Sequence, residues 1–174
     1  MKKNKKIAII YGSDTGMTEE ITERIHYKLN IDPLPIFEIN ELNPNDFLKF
    51  DVLILGIPTW DVGELQSDWD EFYPDFKNIN FENIKVCMYG LGDQLGYPDN
   101  FVDGLGILAS VILKNGGLIF GYWPNKGYKF NLSKGISPNG MFYGLALDEH
   151  NQYEQTDTRI DNWILKIKSE INTF

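Results

Sequence analysis

The sequence predicts an α/β fold in which helices cover both faces of a parallel sheet. Three short apolar runs are nearly uninterrupted or rich in β-branched residues, which is typical of buried strands, and they span residues 7–11, 52–57 and 84–90. Helical patterns alternate with these runs, and that alternation predicts βαβ units of a doubly wound sheet. The chain has 174 residues, which suits one domain and leaves little room for two, so we expect a single domain over residues 1–174.

The predicted elements follow one another along the chain without a repeat. The first strand leads into a helix over residues 17–29, where Ile21, Ile25 and Leu29 recur every four residues. The other predicted elements are a weak strand at 36–39, a helix at 100–115, a last strand beginning near 117–120 and a helix at 157–171. Residues 121–142 contain Gly, Asn, Lys and aromatic residues without a clear period. We interpret them as an insertion, after which residues 144–147 resume the strand.

The composition excludes several classes of function. With 25 acidic and 16 basic residues the net charge is −9, and four of the basic residues lie in the first six positions: Lys2, Lys3, Lys5 and Lys6. Nucleic acid and anionic membrane are therefore poor partners. The single cysteine, Cys87, and the two histidines argue against a disulfide framework and a metal site. No apolar run approaches the ~20 residues of a membrane span, and we expect a cytoplasmic, monomeric protein.

The loop after the first strand is a candidate anion site. It runs directly into a helix, whose first N–H groups and dipole attract negative charge, and three hydroxyls add donors. Its members are Ser13, Asp14, Thr15, Gly16, Met17 and Thr18. The loop contains no Lys or Arg and lacks the ending of a P-loop. The alternative is that Ser13 or Thr15 only caps the helix, since caps and anion donors are the same residue types.

Two further loops follow buried strands and therefore meet the first at one edge of the sheet. The second contains Pro58, Thr59, Trp60, Asp61, Val62 and Gly63, and the third contains Leu91, Gly92, Asp93 and Tyr97 and continues to Asn100. Trp60 and Tyr97 would stack on a planar ligand, although a lone Trp more often packs under a loop and Tyr97 could be a surface residue. Together the loops suit a phosphorylated planar heterocycle such as flavin mononucleotide (FMN).

With these three loops, the sequence resembles the flavodoxins, specifically the long-chain kind, over essentially the whole chain. The family's phosphate signature is similar to residues 13–18, its second loop to residues 58–69 and its third to residues 92–101. The long-chain segment resembles residues 121–128, rejoined at 144–148. The order and spacing of these pieces make the resemblance specific.

The resemblance implies a flavodoxin-like three-layer α/β/α fold with five parallel strands in the order 2-1-3-4-5, the fifth interrupted by the insertion. It also implies one noncovalent FMN and one-electron transfer between proteins, with basic redox partners such as a flavodoxin or ferredoxin reductase and a low-potential acceptor. Residues 13–18 would hold the phosphate, Trp60 and Tyr97 would sandwich the ring, and Asp93 would accept a ring hydrogen bond. The peptide between Asp61 and Val62 is where the family rearranges on reduction.

Four positions depart from the family pattern. Met17 leaves the phosphate contact at its position to the backbone, and a positive φ in the turn would be costly at Val62 because that residue is β-branched. Val102 stands where a polar residue is common, and His150 where an acidic one often appears.

Acidic residues are concentrated around the proposed ring site. They are Asp61, Glu64, Asp68, Asp70, Glu71, Asp75, Asp93, Asp99 and Asp103. A carboxylate ~10 Å away at an effective dielectric of ~20 disfavours one added negative charge by roughly 1.7 kcal/mol, on the order of 70 mV. The main alternative is an FMN-dependent quinone or azo reductase on the same fold, which needs an open pocket over the ring. A receiver domain is set aside because residues 57–59 contain no phosphoacceptor Asp.

Overall fold

Seven strand segments lie within the part of the chain that the structure describes. The computed structural model describes residues 5–174, so Lys2 and Lys3 lie outside the described residues. The strands are β1 (Ile7–Tyr11), β2 (Ile36–Glu38), β3 (Val52–Trp60), β4 (Glu64–Leu65), β5 (Lys85–Leu91), β6 (Leu118–Ile119) and β7 (Leu145–Leu147). The helices are α1 (Met17–Leu29), α2 (Pro44–Phe47), α3 (Ser67–Phe76), α4 (Asp103–Lys114) and α5 (Thr156–Thr173). Single 3-10 turns span Ile39–Glu41 and Tyr153–Gln155.

The sheet topology confirms the predicted fold class. The strands run in the order β2-β1-β3-β5, and both β6 and β7 pair with β5. All of these pairs are parallel. Leu118 pairs with Lys85 at the start of β5, whereas Leu145 pairs with Tyr89 nearer its end. The fifth position is therefore one interrupted strand, as the sequence predicts, and residues 120–144 leave the sheet between its two pieces.

Three elements were not predicted, and the short helix α2 is one of them. β4 pairs antiparallel with the end of β3, which adds a short hairpin that the sequence analysis did not predict. α3 was not predicted either, because closely spaced acidic residues and Pro74 obscure its apolar positions. Those positions, Trp69, Phe72 and Phe76, form a buried face at helical spacing. The helix predicted at 100–115 begins only at Asp103.

The core has two layers, one on each face of the sheet. β3 lies between them, and its residues Val52, Leu53, Ile54 and Leu55 are fully buried. One layer packs against α3 and α4 and the other against α1 and α5. Cys87 lies in β5 and is fully buried, and burial raises the pKa of its thiol. No helix among residues 5–174 is both long and apolar enough to cross a membrane.

The insertion folds back onto the sheet edge from which it departs. The backbones of Trp123 and Phe142 pair with each other, and the Tyr128 hydroxyl donates to the Ala146 carbonyl at 2.7 Å. Phe142 is fully buried in the same core layer as α4. The segment thus packs on the domain core through aromatic residues. It contains no acidic residue.

A buried polar pair between α1 and β5 gives a test of this packing. The Tyr89 hydroxyl and Thr22 Oγ1 lie 2.5 Å apart, and Thr22 also donates to the Thr18 carbonyl at 2.7 Å. Thr22→Val should lower the free energy of unfolding by about 1–3 kcal/mol, because it leaves the Tyr89 hydroxyl buried without a partner among the described residues. Tyr89→Phe should cost less, about 0.5–1.5 kcal/mol, because Thr22 keeps its bond to Thr18.

Urea unfolding of the apoprotein measures both variants and the double variant. The double variant should lose less than the sum of the two, since neither hydroxyl is left behind. Equal losses for the two single variants would contradict this assignment of donors and acceptors.

Candidate functional site

A cavity of about 420 Å³ lies at the carboxyl edge of the sheet. It is surrounded by the loops that follow β1, β3, β5 and β7. Its lining residues are Ser13, Asp14, Thr15, Met17, Thr18, Pro58, Thr59, Trp60, Asp61, Leu91, Gly92, Asp93, Tyr97, Glu149 and His150. The structure therefore brings the three predicted loops together, and a fourth loop joins them.

Most of the predicted site residues line this cavity directly. The exceptions are Gly16, Val62, Gly63 and Asn100, which lie in the same loops but not on the cavity wall. Gly16 and Gly63 have φ of +86° and +88° and turn their loops. Asn100 donates to Asp103 at 3.0 Å, and Val62 is 68% exposed.

The first loop presents the uncapped N-terminus of α1. Gly16 occupies the N-cap position, and no side chain caps the helix. Ser13 Oγ instead accepts the Gly16 N–H at 3.0 Å, one position before the helix starts. The proposal that Ser13 or Thr15 caps α1 is therefore wrong. The N-terminus of α1 lies at the cavity, and no side chain caps the N–H groups of its first turn. This is the arrangement that binds anions.

Asp14 ties the first loop to the start of α3. Its Oδ1 accepts from Gln66 Nε2 at 2.8 Å and from Ser67 Oγ at 2.5 Å. Gln66 is itself fully buried and accepts from the Trp69 N–H. Burial raises the pKa of the Asp14 carboxyl, but the bonds from Ser67 and Gln66 outweigh it, and the pKa lies below its usual value.

Two aromatic residues line the cavity from different loops. Trp60 ends β3, and its indole Nε1 is buried without a hydrogen-bond partner among the described residues. Such an orphaned N–H costs about 1–3 kcal/mol, which an acceptor on a ligand would offset. Tyr97 is 39% exposed, and its hydroxyl donates to Asp61 Oδ1 at 3.2 Å. That bond raises the pKa of Tyr97 and joins the second and third loops across the cavity mouth.

The turn after β3 places its positive φ at Asp61 rather than at Val62. Asp61 has φ of +40°, and Gly63 completes the turn that leads into β4. Asp tolerates this left-handed region better than a β-branched residue does. A strained β-branched residue does occur elsewhere: Val102, at the N-cap of α4, has φ of +48° and is fully buried.

Asp93 is held inside the third loop by one of its two carboxylate oxygens. Oδ1 accepts from Gly96 N–H at 2.7 Å, Asn151 Nδ2 at 2.8 Å and Leu95 N–H at 3.1 Å. Burial raises the pKa of Asp93, but these donors outweigh it, helped by the nearby His150, and the pKa is lowered overall. The expected ring contact of Asp93 stays a prediction, and Oδ2 is the oxygen that these bonds leave out.

Sequence analysis missed Glu149 and His150 as site residues. Both lie in the loop after β7, which reaches the same edge of the sheet because β7 is parallel to β5. The signal was present in the strand at 144–147, but the insertion separates that piece from the start of its strand. Asp148, fully buried, fixes this loop by accepting from Gln94 Nε2 at 2.7 Å and from Asn151 N–H at 3.0 Å.

The acidic residues of the site differ in exposure. Asp14, Asp61, Asp93 and Glu149 line the cavity. Asp103, expected among the carboxylates near the ring, is 1% exposed and accepts the Lys134 N–H of the insertion at 2.7 Å. It therefore does not contribute to an exposed acidic surface.

Comparisons with known proteins show which family this chain is similar to. The model of the flavodoxin family matches residues 9–163. A flavodoxin of Nostoc sp. is 44% identical over 167 residues, which cover 96% of this chain and 98% of the relative. Flavodoxin 1 of Escherichia coli is 41% identical and the match covers 94% and 93% of the two chains. The Fusobacterium nucleatum flavodoxin bound to flavin mononucleotide superposes with a TM-score of 0.90 at 34% identity, covering 95% of this chain and 98% of that one.

Lowered carboxyl pKa values predict how Asp14 contributes to stability. The folded protein binds the Asp14 proton more weakly than the unfolded chain does. The contribution of Asp14 to stability is therefore fully present above the ordinary pKa of about 3.9, and it is lost as the pH falls from there through the lower pKa of the folded protein. Asp14→Asn should therefore be less stable than wild type at pH 7, and the difference should shrink below about pH 4. Urea unfolding of the apoprotein across this range tests it.

The matched control is Asp70→Asn, which removes one exposed carboxylate from α3 without a bond to the first loop. Its difference from wild type should stay small at each pH. A wild-type minus Asp14→Asn difference that did not change with pH would contradict the role assigned to Asp14.

Proposed function

This chain belongs to the flavodoxin family, and we propose that the cavity at its carboxyl edge holds the FMN on which it carries electrons. The protein is an FMN-based electron carrier and not an enzyme, and carriers of this family work with redox partners. FMN, when bound, supplies the one-electron chemistry, so the protein needs no nucleophile, general acid or base. What remains for the chain is to bind, orient and electrostatically tune the cofactor.

One observation carries the proposed site: the uncapped N-terminus of α1 and two aromatic side chains line the same cavity. A helix N-terminus suits a phosphate, and an aromatic ring suits a flat heterocycle. The orphaned Trp60 Nε1 fits a ligand that carries hydrogen-bond acceptors. The residues present therefore fit FMN.

We assign roles by loop. The first loop holds the phosphate through backbone N–H groups and hydroxyls, because the described cavity lining contains no Lys or Arg. Trp60 and Tyr97 contact the ring, and Asp93 accepts a ring hydrogen bond. The residues assigned to FMN are Ser13, Asp14, Thr15, Gly16, Met17, Thr18, Pro58, Thr59, Trp60, Asp61, Val62, Gly63, Leu91, Gly92, Asp93, Tyr97 and Asn100.

Partner docking is proposed at the mouth of the cavity. Val62, Leu95 and Tyr97 are exposed there at 68%, 58% and 39%, which offers apolar contact area. The exposed carboxylates of Asp61 and Glu64 follow β3 on one side of the mouth. Such a surface attracts basic redox proteins, for example a flavodoxin or ferredoxin reductase, and a low-potential acceptor with a basic face.

The reductase alternative is not favoured. Its chemistry requires a substrate to reach the ring face, whereas the proposed contacts of Trp60 and Tyr97, which both line the cavity, would cover that ring. The family relatives and the FMN-bound neighbour are named flavodoxins.

An anaerobic reductive titration of the FMN-loaded protein tests the function. We expect two separate one-electron steps, the second at a much lower potential, because the lining carboxylates oppose added negative charge. Absorbance during dithionite titration with a redox indicator measures both. A protein that does not take up FMN would end the proposal, and steady NADPH oxidation without a separate reductase would revive the quinone or azo reductase.

The phosphate assignment predicts a ligand-specific effect of Ser13→Ala. The substitution removes the bond to the Gly16 N–H and loosens the loop that positions the N-terminus of α1. We expect FMN affinity to fall about tenfold, about 1.4 kcal/mol, while riboflavin, which lacks the phosphate, binds as before. Fluorescence quenching on binding to the apoprotein measures both ligands.

Ser110→Ala is the matched control, since Ser110 is exposed on α4 and donates only to Ile107 within the described residues. It should change neither affinity. Equal losses for FMN and riboflavin in Ser13→Ala would place Ser13 outside the phosphate site.

A further inference from the structure

His150 is the one side chain of the described cavity lining that can carry a positive charge. The other titratable members of the lining are Asp14, Asp61, Asp93, Tyr97 and Glu149. At neutral pH four of these are carboxylates, which do not change charge near pH 7 when their pKa values lie in the ordinary range. A histidine, in contrast, ordinarily changes charge between pH 5 and 8.

The loop that carries His150 is fixed by a buried carboxylate. The His150 N–H donates to Asp148 Oδ1 at 3.2 Å, and Asp148 is fully buried. Asn151 Nδ2 bridges Asp148 and Asp93, with 2.8 Å to Asp93 Oδ1. The imidazole therefore extends from a well-anchored backbone, beside the loop that carries Asp93.

Charged groups face His150 from each loop around the cavity. Asp148 and Glu149 belong to its own loop, and Asp93 and Tyr97 belong to the loop after β5. Asp61 follows β3 and Asp14 follows β1. His150 is close enough to Asp93 to help lower the pKa of that carboxyl. A positive charge on His150 therefore changes the electrostatic potential inside the cavity.

We propose that His150 couples electron uptake in the cavity to the pH of the solution. This inference rests on the proposed function, because it needs a redox group in the cavity. One electron arriving from an external reductant adds one negative charge to the site, and His150 then binds a proton from water more tightly at its free ring nitrogen. By linkage, a protonated His150 makes the uptake of that electron more favourable by the same factor.

The size of the coupling is set by exposure. His150 lies at the solvent-exposed side of the cavity, where water and salt screen its charge. We therefore expect a coupling of roughly threefold, which corresponds to about half a pH unit or about 30 mV for one electron. This is smaller than the effect of a buried charge and is large enough to measure.

The chain supplies its own internal control, because it has only two histidines. His26 lies on α1, where its Nε2 is 3.0 Å from the Leu34 carbonyl oxygen. His26 borders a separate cavity with Ile7 and Pro35, at the opposite edge of the sheet from His150. A charge that enters the carboxyl-edge cavity should therefore leave His26 nearly unaffected.

Nuclear magnetic resonance titration of both imidazoles tests the coupling without an activity assay. The Cε1–H signals of FMN-loaded protein are followed from pH 5 to 9, once oxidised and once fully reduced with dithionite under argon. We expect the His150 midpoint to move upward by about half a unit on reduction, while that of His26 stays. His150→Gln and His26→Gln assign the two signals.

Potentiometry gives the reciprocal measurement. At pH 5.5 the second potential of His150→Gln should lie about 30 mV below wild type, the equivalent of threefold, and the two should converge above pH 8. His150→Lys, which keeps a positive charge, should remain above His150→Gln at both pH values. His26→Gln should follow wild type.

The outcomes separate the two proposals. Apoprotein that does not bind FMN would overturn the proposed function itself. FMN that binds and is reduced while the His150 midpoint stays the same in both states would overturn only the coupling. Parallel pH curves for wild type and His150→Gln would overturn it as well.

Discussion

The parallel pairing of β1, β3 and β5 is the constraint on which the site depends. Tyr11 pairs with Gly56, and Pro58 pairs with Leu91, so the three strands deliver their following loops to one edge of the sheet. Because these strands are buried on both faces, a slip of register would exchange packed side chains between two core layers. The site is therefore positioned by the core, although few of its residues belong to it.

Carboxylates hold the loops of the site in place, because each one hydrogen-bonds to a neighbouring loop or helix. Asp14 binds the start of α3, Asp61 binds Tyr97, and Asp93 binds Asn151. Asp148 does the same from a fully buried position. The negative charge of this chain is thus partly structural: the same groups that set the potential of the cavity also determine the shape of its wall. Removing one of them changes both properties together.

The sequence was sufficient to predict those parts of the fold that repeat a simple pattern. β1, α1, β3 and α5 follow from unbroken apolar runs or from regular spacing, and their bounds agree with the structure within a few residues. β4 depends on the left-handed backbone conformation of Asp61, and an Asp-Val pair in the sequence does not indicate a positive φ. The positive φ of Val102 is likewise absent from the sequence pattern, and Val102 packs so close to Gly92 that a Cβ added there would lie 3.0 Å from the Val102 nitrogen. His150 was missed as a site residue although the strand before it was predicted, because only the parallel pairing of β7 with β5 brings the following loop to the cavity.

The insertion makes the electric field around the cavity uneven. Residues 120–144 contain three lysines and no acidic residue, in a chain whose net charge is −9. This segment is hydrogen-bonded to the third loop: the Lys129 N–H donates to Gln94, and the Asn131 N–H donates to the Pro98 carbonyl at 2.7 Å. Exposed carboxylates follow β3, whereas exposed lysines lie beyond the third loop. A basic surface that approaches the cavity is therefore attracted on one side and repelled on the other, and this asymmetry favours one orientation of approach over the rest.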